Sequence, residues 1–176
     1  MMIVAGVMLG CGGGGDDGGT GTMPACIEFT AASPAAPNAV STRESSGSTC
    51  EVARLELAVT DVDDLFGASF TVTFDPALVS YDGWSTTGSL LDSDGADLEL
   101  LEDVAVGAVK IGVSRFGVDT GIDVVGTRLL LTLRFRKAAD SGTTPLAYSN
   151  GKLIGSEPQA PVKPGVAWIG GTLILR

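Results

Sequence analysis

The sequence of 176 residues contains no histidine, and this absence excludes several kinds of site. A Ser-His-Asp triad, a Cys-His pair and an imidazole-ligated zinc site all need histidine, as does the commonest general base near pH 7. Aromatic residues are scarce at 6%, and the formal net charge of -10 argues against a nucleic-acid partner. The composition therefore favours a non-enzymatic protein without a cofactor.

The chain also lacks an apolar run of the ~20 residues that a membrane-spanning helix needs. Its start, Met1 to Gly10, is short and apolar, and Cys11 follows directly. This order is similar to the end of a bacterial lipoprotein signal, in which the cysteine thiol receives a diacylglycerol. No Lys or Arg precedes Arg43, so the usual positive segment is missing, and an accidental apolar start is the alternative. We expect residues 1–11 to be a signal segment that ends at a lipidated Cys11.

Glycine dominates the stretch after this cysteine, with seven glycines between Gly12 and Thr22. Such a tract cannot bury enough apolar surface to order itself, so we interpret residues 12–25 as a flexible linker before one domain at 26–176. By resemblance to lipoproteins, Gly12 in place of Asp favours the outer membrane or the cell surface over the inner membrane. The membrane would then be contacted only through the lipid.

Three cysteines are present, and lipidation of Cys11 leaves Cys26 and Cys50. Exported proteins commonly oxidise such a pair, so we expect a Cys26–Cys50 disulfide. It would close a loop of about 25 residues and contribute roughly 3 kcal/mol in the chain-entropy model. Two free thiols in a reducing compartment are the alternative.

Helical periodicity is absent beyond Cys50, where apolar residues recur with a period of two. The clearest strand is Thr127 to Lys137, with Leu129, Leu131, Leu133 and Phe135 on its apolar side. We expect these residues to be buried together with Phe70, Val72 and Phe74. Further strands are expected over residues 51–60, 68–74, 78–84, 108–116, 145–148, 152–154 and 167–175.

Turn residues separate these strands. Asn150-Gly151 predicts a turn, and the stretch from Leu90 to Val104, rich in Asp and Gly, predicts at most a turn of helix. Many short strands at regular spacing favour an all-β antiparallel sandwich or jelly roll.

Several segments together resemble cohesin domains. Asp61 to Pro76 (DVDDLFGASFTVTFDP) is similar to a strand and its FDP turn in that family, and Gly107 to Ile111 (GAVKI) to a following strand. Gly126 to Lys137, Gly142 to Leu146 and Gly170 to Leu175 are similar to later strands and turns. The likeness spans residues 27–176 and implies a nine-stranded jelly-roll sandwich related to some cellulose-binding modules.

The resemblance also implies a protein partner. Cohesins bind dockerins, calcium-loaded modules of polysaccharide-degrading enzymes, through one flat sheet face. On this chain the face would combine the strands at 67–74, 108–116 and 127–137 with the last strand. Its expected outward residues are Ser69, Thr71, Thr73, Lys110, Ser114, Arg134 and Arg136.

Charge is unevenly distributed, because residues 1–103 hold 17 acidic and 2 basic residues, whereas 104–176 hold 9 basic and 4 acidic. We interpret Arg134, Arg136 and Lys110 as a basic recognition face that complements the acidic loops of a dockerin-type partner. The alternative is that the arginines pair with acids within 61–103.

Other sites are disfavoured by spacing. Neither Asp61 nor Asp92 begins an EF-hand calcium loop, so we expect these acids to be solvated turn residues and expect no metal site. The stretch from Gly112 to Gly117 does not fit a nucleophile elbow around Ser114, and no catalytic residue is expected.

Two alternative functions stay open. Stacking on exposed aromatic rings would indicate a carbohydrate-binding module with a polysaccharide ligand, for which the available rings are Trp84, Trp168, Tyr81 and Tyr148. A monomeric, purely structural envelope domain is the other alternative.

Overall fold

The computed structural model describes residues 26–159 and 161–176, and its regular structure is almost entirely β. The expected all-β fold is confirmed, with eleven strands in the described residues instead of the nine that the resemblance implied. The strands are β1 Ile27–Ala31, β2 Ala39–Glu44, β3 Val52–Leu65, β4 Gly67–Thr73, β5 Val79–Ser85, β6 Asp97–Ala105, β7 Ala108–Phe116, β8 Ile122–Lys137, β9 Gly142–Ile154, β10 Ala167–Ile169 and β11 Gly171–Leu175.

The strands form two sheets that pack face to face. The six-stranded sheet has the order β1-β11-β9-β4-β7-β6, and the five-stranded sheet has the order β10-β2-β3-β8-β5. All pairings are antiparallel except β10 with β2. No helix in the described residues is long and apolar enough to cross a membrane.

The core lies between the sheets and follows the predicted alternation with one shift. Leu131, Leu133 and Phe135 of β8 are fully buried, as predicted. Between the pairs Leu57–Leu131 and Ala58–Leu129, β8 has one extra residue relative to β3, which makes a β-bulge in β8. Leu130 therefore turns into the core at 0% exposure, and Leu129, predicted to be buried, is only partly buried.

Phe70 and Val72 of β4 complete this core as predicted, and Phe74 is partly buried against it.

Three other local predictions were wrong. Asn150-Gly151 forms a bulge inside β9 instead of a turn. The sequence signal is the same for both, because a bulge and a tight turn each require a residue with positive φ, and φ is 53° at Asn150. The expected closing strand divides at Gly170 into β10 and β11, which belong to different sheets.

The third error concerns residues 90–104. Leu90–Asp92 is a 3-10 helix, but the remainder is the edge strand β6, whose four acidic residues masked its alternation. Acids are tolerated there because one edge and one face of the strand meet solvent.

The predicted Cys26–Cys50 disulfide is present. The backbone continues the link, because Ile27 N donates to Cys50 O over 3.1 Å and Arg176 N donates to Cys26 O over 3.0 Å. The bridge thus attaches the first strand of the six-stranded sheet to the residues that lead into β3 of the other sheet. The predicted lipidation at Cys11 and the linker at 12–25 lie outside the described residues.

Candidate functional site

Five of the seven predicted face residues lie together on the outward side of the six-stranded sheet. Ser69, Thr71 and Thr73 alternate with buried residues along β4, and Lys110 and Ser114 do so along β7. The two strands pair directly, with Thr71 opposite Lys110 and Ser69 opposite Gly112. Period-two alternation was sufficient to predict these five positions, because one side of each strand must face the core.

A shallow depression of about 420 Å³ lies on this outward surface, between β4 and the edge strand β6. Its floor is low because Gly112, Ser114 and Ser69 have small side chains, whereas Leu101 and Lys110 stand beside them. A second depression of about 310 Å³ adjoins it between Lys110 and Lys152. A side chain from another protein can fill such a hollow while backbone and hydroxyl groups contact the surrounding strands.

The sequence analysis missed the apolar part of this surface. Leu101 of β6 is 68% exposed and Phe116 of β7 is 62% exposed. Leu101 pairs with Gly112, and Asp103 pairs with Lys110, so acidic β6 borders the depression on one side. Phe116 follows Ser114 with the same alternation and was predictable, whereas Leu101 lies in the segment 90–104, for which no strand was predicted. We call Ser69, Leu101, Lys110, Gly112 and Ser114, with their surroundings on β4, β6 and β7, the β4–β7 face.

Arg134 and Arg136 do not belong to this face, so the predicted single face was wrong. They lie on β8, which pairs with β3 and β5 in the five-stranded sheet. Lys110 is on β7 of the other sheet, and β7 pairs with β4 and β6. The chain changes sheets between β7 and β8, and side-chain alternation contains no information about that change.

The alternative, pairing with acids within 61–103, is confirmed for Arg136, whereas Arg134 bonds to a backbone oxygen. Arg136 Nη2 lies 3.3 Å from Asp82 Oδ2, and Arg134 Nη2 donates to the Asp82 backbone oxygen over 2.7 Å. Asp82 is on β5, beside β8 and within the acidic range 61–103. The outward arginines thus already have partners within their own sheet.

The four aromatic residues considered for sugar stacking are partly buried against the core. Trp168, Tyr148 and Phe70 form one cluster, with Tyr148 and Trp168 tilted by 48° at 5.8 Å between ring centroids. Tyr148 O–H and Thr42 Oγ1 lie 2.8 Å apart, and burial raises the pKa of the Tyr148 hydroxyl far above its usual value.

On the other side of the molecule, Tyr81 packs against Phe135, and Trp84 Nε1 donates to Glu102 over 3.0 Å. These rings hold the two sheets together and do not form a coplanar exposed platform. The arrangement offers no support for sugar stacking by these four residues.

Several of the acids predicted to be solvated turn residues are exposed, as expected, and they also make defined contacts. Asp64 accepts hydrogen bonds from Ser156 and from Lys163 Nζ, the latter over 3.0 Å, and the Ser156 hydroxyl is the main reason that the pKa of Asp64 is lowered. Asp61 accepts a hydrogen bond from Gly126 N over 2.7 Å, and buried Arg115 donates to Asp94 over 2.6 Å. Within the described residues, no three His, Cys, Asp or Glu side chains converge on a metal-sized site.

Comparison with known proteins identifies the fold. No protein-family model matches the chain, and no curated protein matches it. A non-cellulosomal cohesin from the hyperthermophilic archaeon Archaeoglobus fulgidus is similar in structure, with a TM-score of 0.53, 15% identity, and 84% of this chain and 88% of that chain covered.

Two structures from Acetivibrio cellulolyticus are also similar. The second type II cohesin module of the adaptor ScaA scaffoldin has a TM-score of 0.59 and 12% identity over 84% of this chain and 88% of that chain. The third ScaC cohesin, solved in complex with the ScaB dockerin, has a TM-score of 0.54 and 15% identity over 69% and 86%. The described domain therefore has a cohesin-like fold.

Proposed function

We propose that this domain is a non-enzymatic protein-binding module that holds a dockerin-type partner on its β4–β7 face. The observation that carries the proposal is the 420 Å³ depression, which lies on a flat, regularly paired sheet between Leu101 and Lys110. The cohesin-like fold supports it, since one structurally similar cohesin was solved with a dockerin bound.

The remaining parts of the proposal concern the setting. Cys11, lipidated, would hold a monomeric domain at the cell surface or outer membrane, with residues 12–25 as the tether. A calcium-loaded partner would connect the protein to polysaccharide breakdown. Such binding would keep the partner close to the cell surface, where a tethered partner acts at a high effective concentration.

The mixed chemistry of the face suits a folded protein partner. Leu101 and Phe116 supply exposed apolar area, and Lys110 and Lys152 supply cations beside the two depressions. Lysines at such a rim increase the rate of encounter with acidic loops, while the small floor residues admit an apolar anchor.

The proposal is tested by capture of purified dockerin modules. The full chain with Cys11→Ser is immobilised and exposed to a panel of dockerins, each with calcium or with a chelator. We expect saturable capture of at least one module in calcium and its loss in chelator. Absence of capture across a panel that binds control cohesins would contradict the proposal.

A Gly112→Gln variant locates the binding site. A Cβ at Gly112 would meet only Leu101 Cβ, at 3.9 Å, so the longer side chain fills the depression without disturbing the strand. We expect at least a tenfold loss of affinity with unchanged melting. Unchanged affinity would place the partner elsewhere.

A further inference from the structure

Strand β6 differs from the other three edge strands of the sandwich. β1 has five residues and β10 has three, and β5 has a register shift between Tyr81 and Trp84. β6 runs for nine residues, Asp97–Ala105, and pairs with β7 without any register shift. Natural sheets usually blunt their edges with short strands, bulges, prolines or charged side chains. β6 is long and has neither bulge nor proline, and its four acidic residues protect it by charge, which a basic strand would neutralise instead of meeting as repulsion.

The outer edge of β6 is open. In the described part of the chain β7 is the one strand that pairs with it, so alternate backbone N–H and C=O groups along β6 face away from the sheet. Apolar side chains stand along and just beyond it, with Leu101 68%, Val104 58% and Val106 90% exposed. An extended chain laid along this edge would satisfy the backbone groups and cover the apolar side chains.

We propose that β6 is a strand-addition site for an extended, basic segment of another protein. Asp97, Glu99 and Asp103 share the outward side of β6 with Leu101, as their pairing with outward residues of β7 shows. A strand added beside β6 places its own side chains opposite these four, about 5 Å away. Complementarity then requires Lys or Arg opposite Glu99 and Asp103 and an apolar residue opposite Leu101.

This requirement gives a sequence pattern for the partner, basic-x-apolar-x-basic. The pattern reads the same in both directions because Glu99 and Asp103 lie symmetrically about Leu101. It therefore holds for parallel and for antiparallel addition. The acidic side chains would select a partner with basic residues, while the unpaired backbone groups of β6 would supply the hydrogen bonds.

Two other candidates for binding along β6, a second copy of this strand and residues 1–25 of the same chain, do not match the pattern. A second copy of β6, added antiparallel about Leu101, would place Glu99 opposite Asp103 twice, and opposed like charges are destabilising. The chain's own start is unsuitable as well, because residues 1–25 contain Asp16 and Asp17 and no Lys or Arg.

Strand addition is distinct from binding on the β4–β7 face. It uses the unpaired backbone groups of β6, whereas the face binds through side chains, and the two sites share Leu101. N-methylation of the added strand distinguishes the two modes, because it blocks backbone pairing at the β6 edge and leaves side-chain contacts with the β4–β7 face possible.

The test uses a fluorescein-labelled peptide, Ser-Lys-Thr-Val-Thr-Lys-Ser, titrated with the full chain carrying Cys11→Ser. Two further peptides are N-methylated at alternate residues. In one peptide the methyl groups block the N–H groups on one backbone edge, and in the other peptide they block those on the opposite edge. We expect saturable binding of the parent peptide, at least a tenfold loss for one methylated peptide, and little loss for the other. Equal affinity of all three peptides would show attraction by charge alone and overturn the proposal, as would absence of saturable binding.

Protein variants provide the second arm. Glu99→Lys with Asp103→Lys should weaken peptide binding at least tenfold, whereas Glu51→Lys with Glu157→Lys, an equal charge change at exposed residues elsewhere, should change it less than about twofold. Equal losses in both double variants would overturn the proposal. So would concentration-dependent self-association that protects the β6 amides from hydrogen exchange, because it would assign the edge to a second copy.

Discussion

Cations on the two outward sheet faces differ in their surroundings. On the five-stranded sheet, Arg134 and Arg136 both contact Asp82 of the neighbouring strand. On the six-stranded sheet, Lys110 lines two depressions beside small residues. A cluster of positively charged residues is therefore not sufficient to identify a recognition surface. The contacts that each of these residues already makes within the protein must also be considered.

The largest expected effect comes from the core that both faces share. Leu131→Ala removes a fully buried side chain and should lower the free energy of unfolding by roughly 2–5 kcal/mol. Leu129→Ala, two residues away on the same strand, is the control and should cost less because Leu129 is only partly buried. Urea denaturation checks both variants. Equal losses would contradict the bulge that turns Leu130, instead of Leu129, inward.

Next in size is the covalent link between the sheets. Cys26→Ser with Cys50→Ser opens a loop with a sequence separation of 24, and we expect a loss of about 3 kcal/mol. Cys11→Ser should leave the free energy of unfolding unchanged. Unfolding curves with and without reductant provide the measurement, and an unaltered midpoint in the double variant would rule out a stabilising bridge.

A smaller, pH-dependent effect is expected at Asp64, which connects β3 to the segment after β9. The hydrogen bond from Ser156, reinforced by Lys163, lowers the pKa of Asp64 below the ordinary aspartate value of 3.8. The folded state is thus favoured above pH 3.8, and this contribution disappears as the pH falls through the lower folded pKa.

Asp64→Asn should therefore flatten the acid limb of the stability curve. Asn tolerates the left-handed backbone conformation of this position, where φ is 47°. The exposed neighbour Asp63→Asn serves as the control and should keep the limb. Urea midpoints from about pH 6 to about pH 2 test this, and an identical pH dependence of both variants would refute it.

The smallest effect is expected on the arginine side of the comparison. Arg136→Gln removes an exposed ion pair with Asp82 and should cost only about 0–1 kcal/mol. Thermal melting is a sufficient measurement. A loss of several kcal/mol would show that this pair supports the five-stranded sheet far more than an exposed contact does.

Sequence reasoning predicted most strands after Cys50 and five outward residues of β4 and β7 because one-sided burial enforces alternation, but it did not predict β1, β2 or β6. It failed where the answer depends on distant parts of the chain. Alternation did not indicate that β7 and β8 belong to different sheets, nor that a bulge would exchange Leu129 for Leu130. Leu101 was missed because acidic neighbours on an edge strand resemble a loop in composition.

The most direct test is calorimetric titration of one captured, calcium-loaded dockerin against three forms of the chain. These are the parent with Cys11→Ser, the same chain with Gly112→Gln, and the same chain with Arg134→Gln and Arg136→Gln. We predict at least a tenfold loss of affinity for Gly112→Gln and an affinity within about twofold of the parent for the arginine variant. Loss of binding in the arginine variant, with full affinity in Gly112→Gln, would contradict the assignment of recognition to the β4–β7 face.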